Sequence, residues 1–314
     1  MNSKILLVIG VIHLTATSFA ANLPAQFEHD RIRLCITGPN GAPLRFYVDS
    51  GGGFNAITQT TRSHLGLPIE GEIEIDDDRY PVVRFPASFS QAGIPAPLSE
   101  PLLNGGLAVV PDAVLETDAF LGSRWFAGRI WQIDYPNHAM SLLDSLPASK
   151  NVHRIPLAFR TGADGTRSLN FPRITISVDG APMEVLLDTG ATAKLTSSSA
   201  PVFKLQDGAE MGVSYVVAST FEKWRKQHPN WRVLENGEGV TGQVYPMIEV
   251  PSIRVADMSI GPVWFAERFD DDFHNTMSDV LGVPADGALG GSGLKYFRII
   301  LDYPAGNAYF SRPK

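Results

Sequence analysis

One short motif occurs twice in this chain, and in both copies an apolar run ends at an aspartate. The first copy reads Asp49-Ser50-Gly51 and the second reads Asp188-Thr189-Gly190. Each triplet alone is typical of a turn. Two matched copies indicate instead a duplicated unit, and such a duplication can bring two carboxylates together across a pseudo-twofold axis.

The repeat extends well beyond the triplets. Before each aspartate, two apolar runs separated by turn residues predict a β-hairpin, over residues 31–48 and 174–187, whose second strand ends at the aspartate. After each aspartate, three landmarks recur in the same order: Tyr80-Pro81 and Tyr245-Pro246, Phe120-Leu121-Gly122 and Ala288-Leu289-Gly290, and Asp134-Tyr135-Pro136 and Asp302-Tyr303-Pro304. The sequence therefore predicts two related halves.

The halves differ in length between the triplet and the Tyr-Pro pair. This interval is 31 positions in the first half, from 49 to 80, and 57 in the second, from 188 to 245. The extra length includes residues 215–228, where Phe221, Trp224 and Arg225 lie among charged neighbours before Pro229. This pattern predicts an inserted amphipathic helix that packs on its own half.

Composition and charge restrict the function classes. The 314 residues carry a net charge of −7 without a basic run, which argues against nucleic-acid binding. The acidic triplets at 76–78 and 270–272 lack the ligand spacing of a calcium loop, and His and Cys do not show zinc spacing. We therefore expect neither a metal nor a cofactor, and a length of 314 residues suits two domains, at 21–150 and 151–314.

The first twenty residues have the features of a cleaved secretory signal. Lys4 precedes a short apolar core at 5–12, and Ser18-Phe19-Ala20 provides small residues before a cleavage point at Ala21. The core is too short to span a bilayer. We expect an exported protein, periplasmic or secreted and monomeric, with no stable membrane span once the signal is removed. Because Cys35 is the single cysteine, it cannot form an intramolecular disulfide.

The landmarks resemble those of the bilobal pepsin-type aspartic peptidases and of their retropepsin-like relatives, from about Phe27 to the end of the chain. The segment that ends in Ile-Asp-Tyr-Pro, and the lack of disulfide cysteines, are more similar to bacterial retropepsin-like proteins than to animal pepsins. The resemblance implies a mostly β fold of two pseudo-twofold-related β-rich lobes of the acid-protease type, with a few short helices. It also implies an aspartic endopeptidase that acts on peptide or protein substrates.

The resemblance assigns roles to individual residues. Asp49 and Asp188 become the catalytic pair, which shares one proton and activates a water. The hydroxyls of Ser50 and Thr189 lock the pair across the two loops. The glycines permit close approach, Gly51 and Gly190 between the Asp loops and Gly122 and Gly290 behind them.

A flap is expected between each triplet and its Leu-Gly. Tyr80, on a predicted hairpin around 76–79, is a candidate flap residue. Its repeat partner Tyr245 favours a shared structural role for both tyrosines.

The Gly51-Gly52-Gly53 run departs from the family pattern, in which Ser, Thr or Ala usually follows the triplet glycine. It leaves open a catalytically weak or inactive peptidase-like protein that binds or inhibits in the cell envelope. A structural envelope protein that docks peptides in the cleft is a third hypothesis. The presence of both aspartates and both neighbouring hydroxyls favours the enzyme.

Overall fold

The computed structural model describes residues 20–38, 41–75, 77–148, 151–240 and 242–312. The expected signal segment lies outside the described residues except for Ala20, and the predicted hairpin around 76–79 lacks only residue 76. Within the described ranges the chain is mostly β with short helices, which confirms the fold class expected from the sequence. None of these helices is both long and apolar enough to cross a membrane.

The strands are short, and their burial alternates where one face meets the core, as in β13 below, where Ile174, Ile176 and Val178 are buried. The strands are, in chain order, β1 (Ala20–Asn22), β2 (Ala25–Glu28), β3 (Arg31–Thr37), β4 (Pro43–Val48), β5 (Ala56–Thr58), β6 (Gly71–Ile75), β7 (Asp78–Val83), β8 (Leu107–Val110), β9 (Ala119–Leu121), β10 (Ile130–Asp134), β11 (Ala139–Leu143), β12 (His153–Pro156), β13 (Arg173–Val178), β14 (Ala181–Leu187), β15 (Thr192–Lys194), β16 (Glu210–Gly212), β17 (Ser214–Val217), β18 (Arg232–Val240), β19 (Gln243–Val250), β20 (Ile253–Val255), β21 (Met258–Ile260), β22 (Val263–Arg268), β23 (Gly287–Leu289), β24 (Arg298–Asp302) and β25 (Asn307–Ser311).

The helices are α1 (Gln59–His64), α2 (Ala87–Gln91), α3 (Ser123–Phe126), α4 (Ala200–Phe203), α5 (Ala218–Gln227), α6 (Ser278–Leu281) and α7 (Gly291–Leu294). A 3₁₀ turn spans Asp112–Val114, and a π-helical segment spans Asp272–Met277.

Two large sheets share one topology over seven strands and differ at one edge, where the first sheet has β2 and the second has β20 and β21. The first sheet has the order β2-β3-β4-β9-β5-β8-β7-β6, and the second, read in the matching direction, has the order β21-β20-β13-β14-β23-β17-β22-β19-β18. The strand that ends at each aspartate pairs in parallel with the strand of the Leu-Gly landmark, β4 with β9 and β14 with β23. The opposite edge of each landmark strand pairs antiparallel with the next strand of the same sheet after the Asp loop. These pairs are β5 with β9 and β17 with β23.

The register of these pairings gives residue-by-residue counterparts. Phe120 faces both Tyr47 and Ala56, and Ala288 faces both Leu186 and Tyr215. Tyr47 therefore corresponds to Leu186, and Ala56 corresponds to Tyr215. Carried through β8 and β22, the same register aligns Tyr80 with Tyr245, as the repeat predicted.

A third sheet combines strands from both halves of the chain, in the order β1-β11-β10-β24-β25-β12. Its innermost pair is antiparallel and self-complementary, because Asp134 faces Arg298 and Ile130 faces Asp302. The landmark aspartates also make the same local contact, since each accepts a hydrogen bond from the backbone N–H three residues later. The Asp-Tyr-Pro landmarks thus fix equivalent turns at the ends of the two paired strands β10 and β24.

The helix expected in the second half is present as α5, and its first residue is Ala218. Tyr215 instead lies in β17. The helix buries Phe221 and Trp224 and ends before Pro229, as the pattern predicted.

The topology shows which part of the second half has no counterpart. Helix α1 follows β5 as α5 follows β17, so the helix itself is matched. The added segment is residues 192–213, which contain β15, α4 and β16 and are called the insert below. The insert contacts the first half, because Glu210 pairs with Arg31 and the Gly212 N–H donates to the His29 carbonyl at 2.7 Å.

Candidate active site

The two aspartates occupy equivalent positions at the ends of buried strands. Asp49 follows β4, and its N–H donates to the Leu121 carbonyl at 3.0 Å. Asp188 follows β14, and its N–H donates to the Leu289 carbonyl at 3.0 Å. Because the parallel neighbour strand fixes the chain up to the aspartate, both side chains leave their sheets with the same geometry.

The structure brings the two carboxyl groups face to face. A Cβ atom at Gly51 would lie 2.6 Å from the Asp188 Cγ, and a Cβ at Gly190 would lie 2.1 Å from the Asp49 Cγ. Only glycine allows the loops to approach this closely. Asp188 is buried, with 8% of its surface exposed, whereas Asp49 is partly exposed.

The hydroxyls beside the aspartates form a reciprocal network between the loops. The Ser50 N–H donates to the Thr189 Oγ1 at 3.0 Å, and the Thr189 N–H donates to the Ser50 Oγ at 3.0 Å. The Ser50 hydroxyl donates to the Leu187 carbonyl at 2.7 Å, and the Thr189 hydroxyl donates to the Val48 carbonyl at 2.9 Å. Both hydroxyls are buried, so these four hydrogen bonds hold the aspartates in register.

The electrostatics of the pair follow from its burial. Desolvation raises the pKa of both carboxyls, and the pKa of Asp49 lies well above its ordinary value because the neighbouring Asp188 also opposes ionisation. The N–H groups of Gly51 and Gly190 each donate to the Oδ1 of the aspartate two residues before, at 2.8 Å, and favour its ionised form. Ionisation of one carboxyl therefore opposes ionisation of the other.

The Leu-Gly landmarks pass directly behind the Asp loops. A Cβ at Gly122 would lie 2.8 Å from the Phe54 carbonyl oxygen, and a Cβ at Gly290 would lie 1.9 Å from the Val213 carbonyl oxygen. Each landmark glycine also donates its N–H to a buried side chain, and the two side chains lie at equivalent positions. Gly122 donates to the Asn55 Oδ1 at 3.0 Å, and Gly290 donates to the Ser214 Oγ at 3.1 Å. The repeat did not single out these two partners, because asparagine and serine are different residue types.

The three successive glycines of the first loop have different surroundings. A Cβ at Gly52 would lie 2.3 Å from the Phe120 ring, so the glycine and the ring fit together. In the second half the counterparts are both small, Ala191 and Ala288. A Cβ at Gly53 would meet only the Phe171 ring, at 3.9 Å. Close contacts thus favour glycine over any larger residue at positions 51 and 52, whereas position 53 has room for a Cβ atom.

Tyr80 lies on the hairpin β6–β7, and its ring centroid is 6.3 Å from that of Phe54, which directly follows Gly53. Its hydroxyl is 3.5 Å from the Asp78 carboxylate, and the Tyr245 hydroxyl donates to Gln243 at 2.8 Å, again two residues earlier. The hairpin thus contacts the Asp49 loop through these two rings, and the tyrosines share a local contact.

Other polar residues close to the dyad carry no signal in the repeat. They come from β3, β4, β17, β18, β22 and the insert, and they are Arg31, Tyr47, Thr192, Glu210, Tyr215, Glu238 and Arg268. Within the described ranges, no group of three or more His, Cys, Asp or Glu side chains is placed to hold a metal ion.

No protein-family model matches this chain, and no curated protein matches it significantly in sequence. The residues and the geometry of the site therefore carry the functional assignment proposed below.

Proposed function

We propose that this protein is an aspartic endopeptidase that hydrolyses peptide bonds with the Asp49–Asp188 pair. The observation that carries the proposal is the facing arrangement of the two carboxyls, held by reciprocal hydrogen bonds of Ser50 and Thr189. A pair of turns without this function would gain nothing from burying two like-charged groups against each other. The proposal also accords with the resemblance to pepsin-type and retropepsin-like enzymes.

The proposed mechanism uses one proton shared by the pair. The ionised carboxylate accepts a proton from a water held between the two groups, and the protonated carboxyl donates a hydrogen bond to the scissile carbonyl. Water attacks the carbonyl carbon directly, so the enzyme forms no acyl intermediate. The carboxyl that took the proton from water returns it to the amide nitrogen, and the C–N bond breaks to release the amine and the new carboxylic acid. Partial exposure of Asp49 leaves a route for water and substrate to the pair.

We further propose that the protein is exported to the periplasm or secreted as a monomer, with lobes at 21–150 and 151–314. This part of the proposal rests on the N-terminal sequence pattern, and it requires no disulfide.

The alternative is a catalytically weak binding or inhibitory protein of the cell envelope. The Gly51-Gly52-Gly53 run raised this possibility from the sequence. The fit of Gly52 against the Phe120 ring provides a packing reason for one of the unusual glycines, and so weakens that argument.

The test compares the wild type with Asp49→Asn and Asp188→Asn on an unfolded protein substrate at several acidic pH values. Each variant keeps the side-chain shape but removes an ionisable group. We expect cleavage by the wild type and none by either variant, with all three folded by circular dichroism. Equal cleavage by all three would reveal a contaminating protease, and peptide binding without cleavage by the wild type would favour the binding protein.

A further inference from the structure

Thr192, four residues after Asp188, is held by two tyrosines from different halves of the chain, of which Tyr47 is buried and Tyr215 is partly buried. The Thr192 N–H donates to the Tyr215 hydroxyl at 2.7 Å, and this hydroxyl donates to the Thr192 carbonyl at 2.7 Å. The Tyr47 hydroxyl lies 2.5 Å from the Thr192 Oγ1 and 2.9 Å from the Gly190 carbonyl oxygen. We call Tyr47, Tyr215 and Thr192 the Thr192 clamp.

Tyr47, the tyrosine from the first half, is held by Arg31, which also forms an ion pair with the insert. The Arg31 guanidinium lies 4.7 Å from the centroid of the Tyr47 ring, and its Nε donates to the Tyr47 hydroxyl at 3.3 Å. Arg31 also pairs with Glu210 of the insert. A cation over the ring and a hydrogen bond to its hydroxyl restrict Tyr47 from two directions.

The tyrosine from the second half has the same kind of support. The Arg268 guanidinium lies 3.8 Å from the centroid of the Tyr215 ring. Arg268 donates to both carboxylate oxygens of Glu238, at 2.6 and 3.0 Å, and only 2% of Glu238 is exposed. A bidentate buried pair has a defined geometry, so the ring beneath it has little freedom.

The Asp49 loop does not share this arrangement. By sheet register the counterparts of the two tyrosines are Leu186 and Ala56; Thr192 begins the insert and has no counterpart, and the residue at the same distance after Asp49 is Gly53. Leu186, Ala56 and Gly53 have no side-chain hydroxyl. The two Asp loops are related by the repeat, yet hydroxyl side chains restrain one of them far more than the other.

We propose that Tyr47 and Tyr215 are positioning residues that fix the Asp188 loop through Thr192. This inference rests on the proposed peptidase activity. The physical reason is that catalytic groups must stay close to the productive geometry for full activity, and supporting hydrogen bonds hold them there.

The kinetic test uses Tyr47→Phe and Tyr215→Phe, which keep the rings and remove the hydroxyls. We expect kcat to fall about tenfold in each variant with little change in KM, because the lost contacts act on the dyad and not on substrate binding. The matched control is Tyr296→Phe, which loses a hydroxyl hydrogen bond of 2.7 Å to the Pro262 carbonyl away from the dyad. The control should retain the wild-type kcat.

Thr192 provides a conservative rescue. Thr192→Val removes the Oγ1 contact with Tyr47, and Thr192→Ser retains a hydroxyl there. We expect the valine variant to lose kcat as Tyr47→Phe does and the serine variant to keep it. Equal loss in both would contradict a role for the hydroxyl.

A second readout does not depend on turnover. The pH titration of the Asp49 and Asp188 Cγ resonances, followed by carbon NMR, should show two apparent pKa values for the pair. Without the clamp the Asp188 carboxyl can shift away from Asp49, and the coupling between the two carboxyls becomes weaker. The difference between the two apparent pKa values should therefore be smaller in the tyrosine variants but not in Tyr296→Phe. If the tyrosine variants match the wild type in both kcat and titration, the clamp proposal is wrong. If the wild type cleaves nothing, the peptidase proposal fails while the titration still tests the clamp.

Discussion

The sharpest prediction concerns Gly51→Ala. The added Cβ would lie 2.6 Å from the Asp188 Cγ, whereas ordinary van der Waals contacts begin at 3.4 Å. The Asp49 loop or the Asp188 carboxyl must therefore move by about 0.8 Å. Because a displacement of about 1 Å can cost about a hundredfold in rate, we expect kcat to fall by about that factor. Overpacking should also lower the free energy of unfolding by about 1–3 kcal/mol.

The same loop provides a matched control in Gly53→Ala. Its Cβ would meet only the Phe171 ring at 3.9 Å, and Gly53 does not have a positive φ. We expect unchanged kcat and a gain of about 0.4–1 kcal/mol in unfolding free energy, because alanine restricts the unfolded chain.

The assay pairs initial rates on an unfolded protein substrate with urea unfolding of each variant. Full activity in Gly51→Ala would refute the close approach of the loops. An equal loss of activity in Gly53→Ala would show that the flexibility of the glycine run matters rather than the contact between Gly51 and Asp188.

Three further outcomes are expected. First, because burial raises the pKa of both Asp49 and Asp188, the pair keeps its proton at mildly acidic pH and loses it as pH rises; a pH–rate profile should therefore fall towards neutral pH, and one that rises would contradict the mechanism. A carboxyl whose pKa is higher in the folded than in the unfolded state lowers the stability of the protein as pH rises and the group ionises. Asp49→Asn should therefore have a higher Tm than the wild type at pH 7 and nearly the same Tm near pH 3. Second, Thr189→Ala leaves the Ser50 N–H and the Val48 carbonyl without their buried partner and should cost about 1–3 kcal/mol in urea unfolding, while Thr189→Ser should restore most of it. Third, mass spectrometry of protein from the cell envelope should place the mature N-terminus near Ala21, and an intact Met1 would contradict export by a cleaved signal.

Much of the site could be predicted because duplication leaves a local pattern. Both Asp triplets, both Leu-Gly landmarks and the aligned pair Tyr80 and Tyr245 occur in the same order within each half. Alternating apolar residues before a turn specify a hairpin wherever they occur, so a comparison of the halves identified the strands that deliver the aspartates. The helix at Ala218–Gln227 was predicted from a local pattern as well, but in the second half alone, from its own apolar spacing and the proline that follows it.

The insert was harder to predict, because the length difference alone did not say which residues were added. The sequence suggested the helix itself, which is the most regular part of the longer interval. The sheet order shows that α1 and α5 are equivalent and that residues 192–213 are the addition. Strand partners, unlike strand patterns, are set by the whole sheet.

The sequence by itself determined that two aspartates would end equivalent strands with hydroxyl and glycine neighbours. Only the tertiary structure decided that Thr192 would be held by Tyr47, 145 positions before it, and by Tyr215. It also decided that Gly52 would lie against Phe120. Such contacts depend on the register and twist with which distant strands pack, and a one-residue change in register turns a side chain to the opposite face. Local patterns therefore fix what each strand carries, while packing between sheets decides which of those side chains meet.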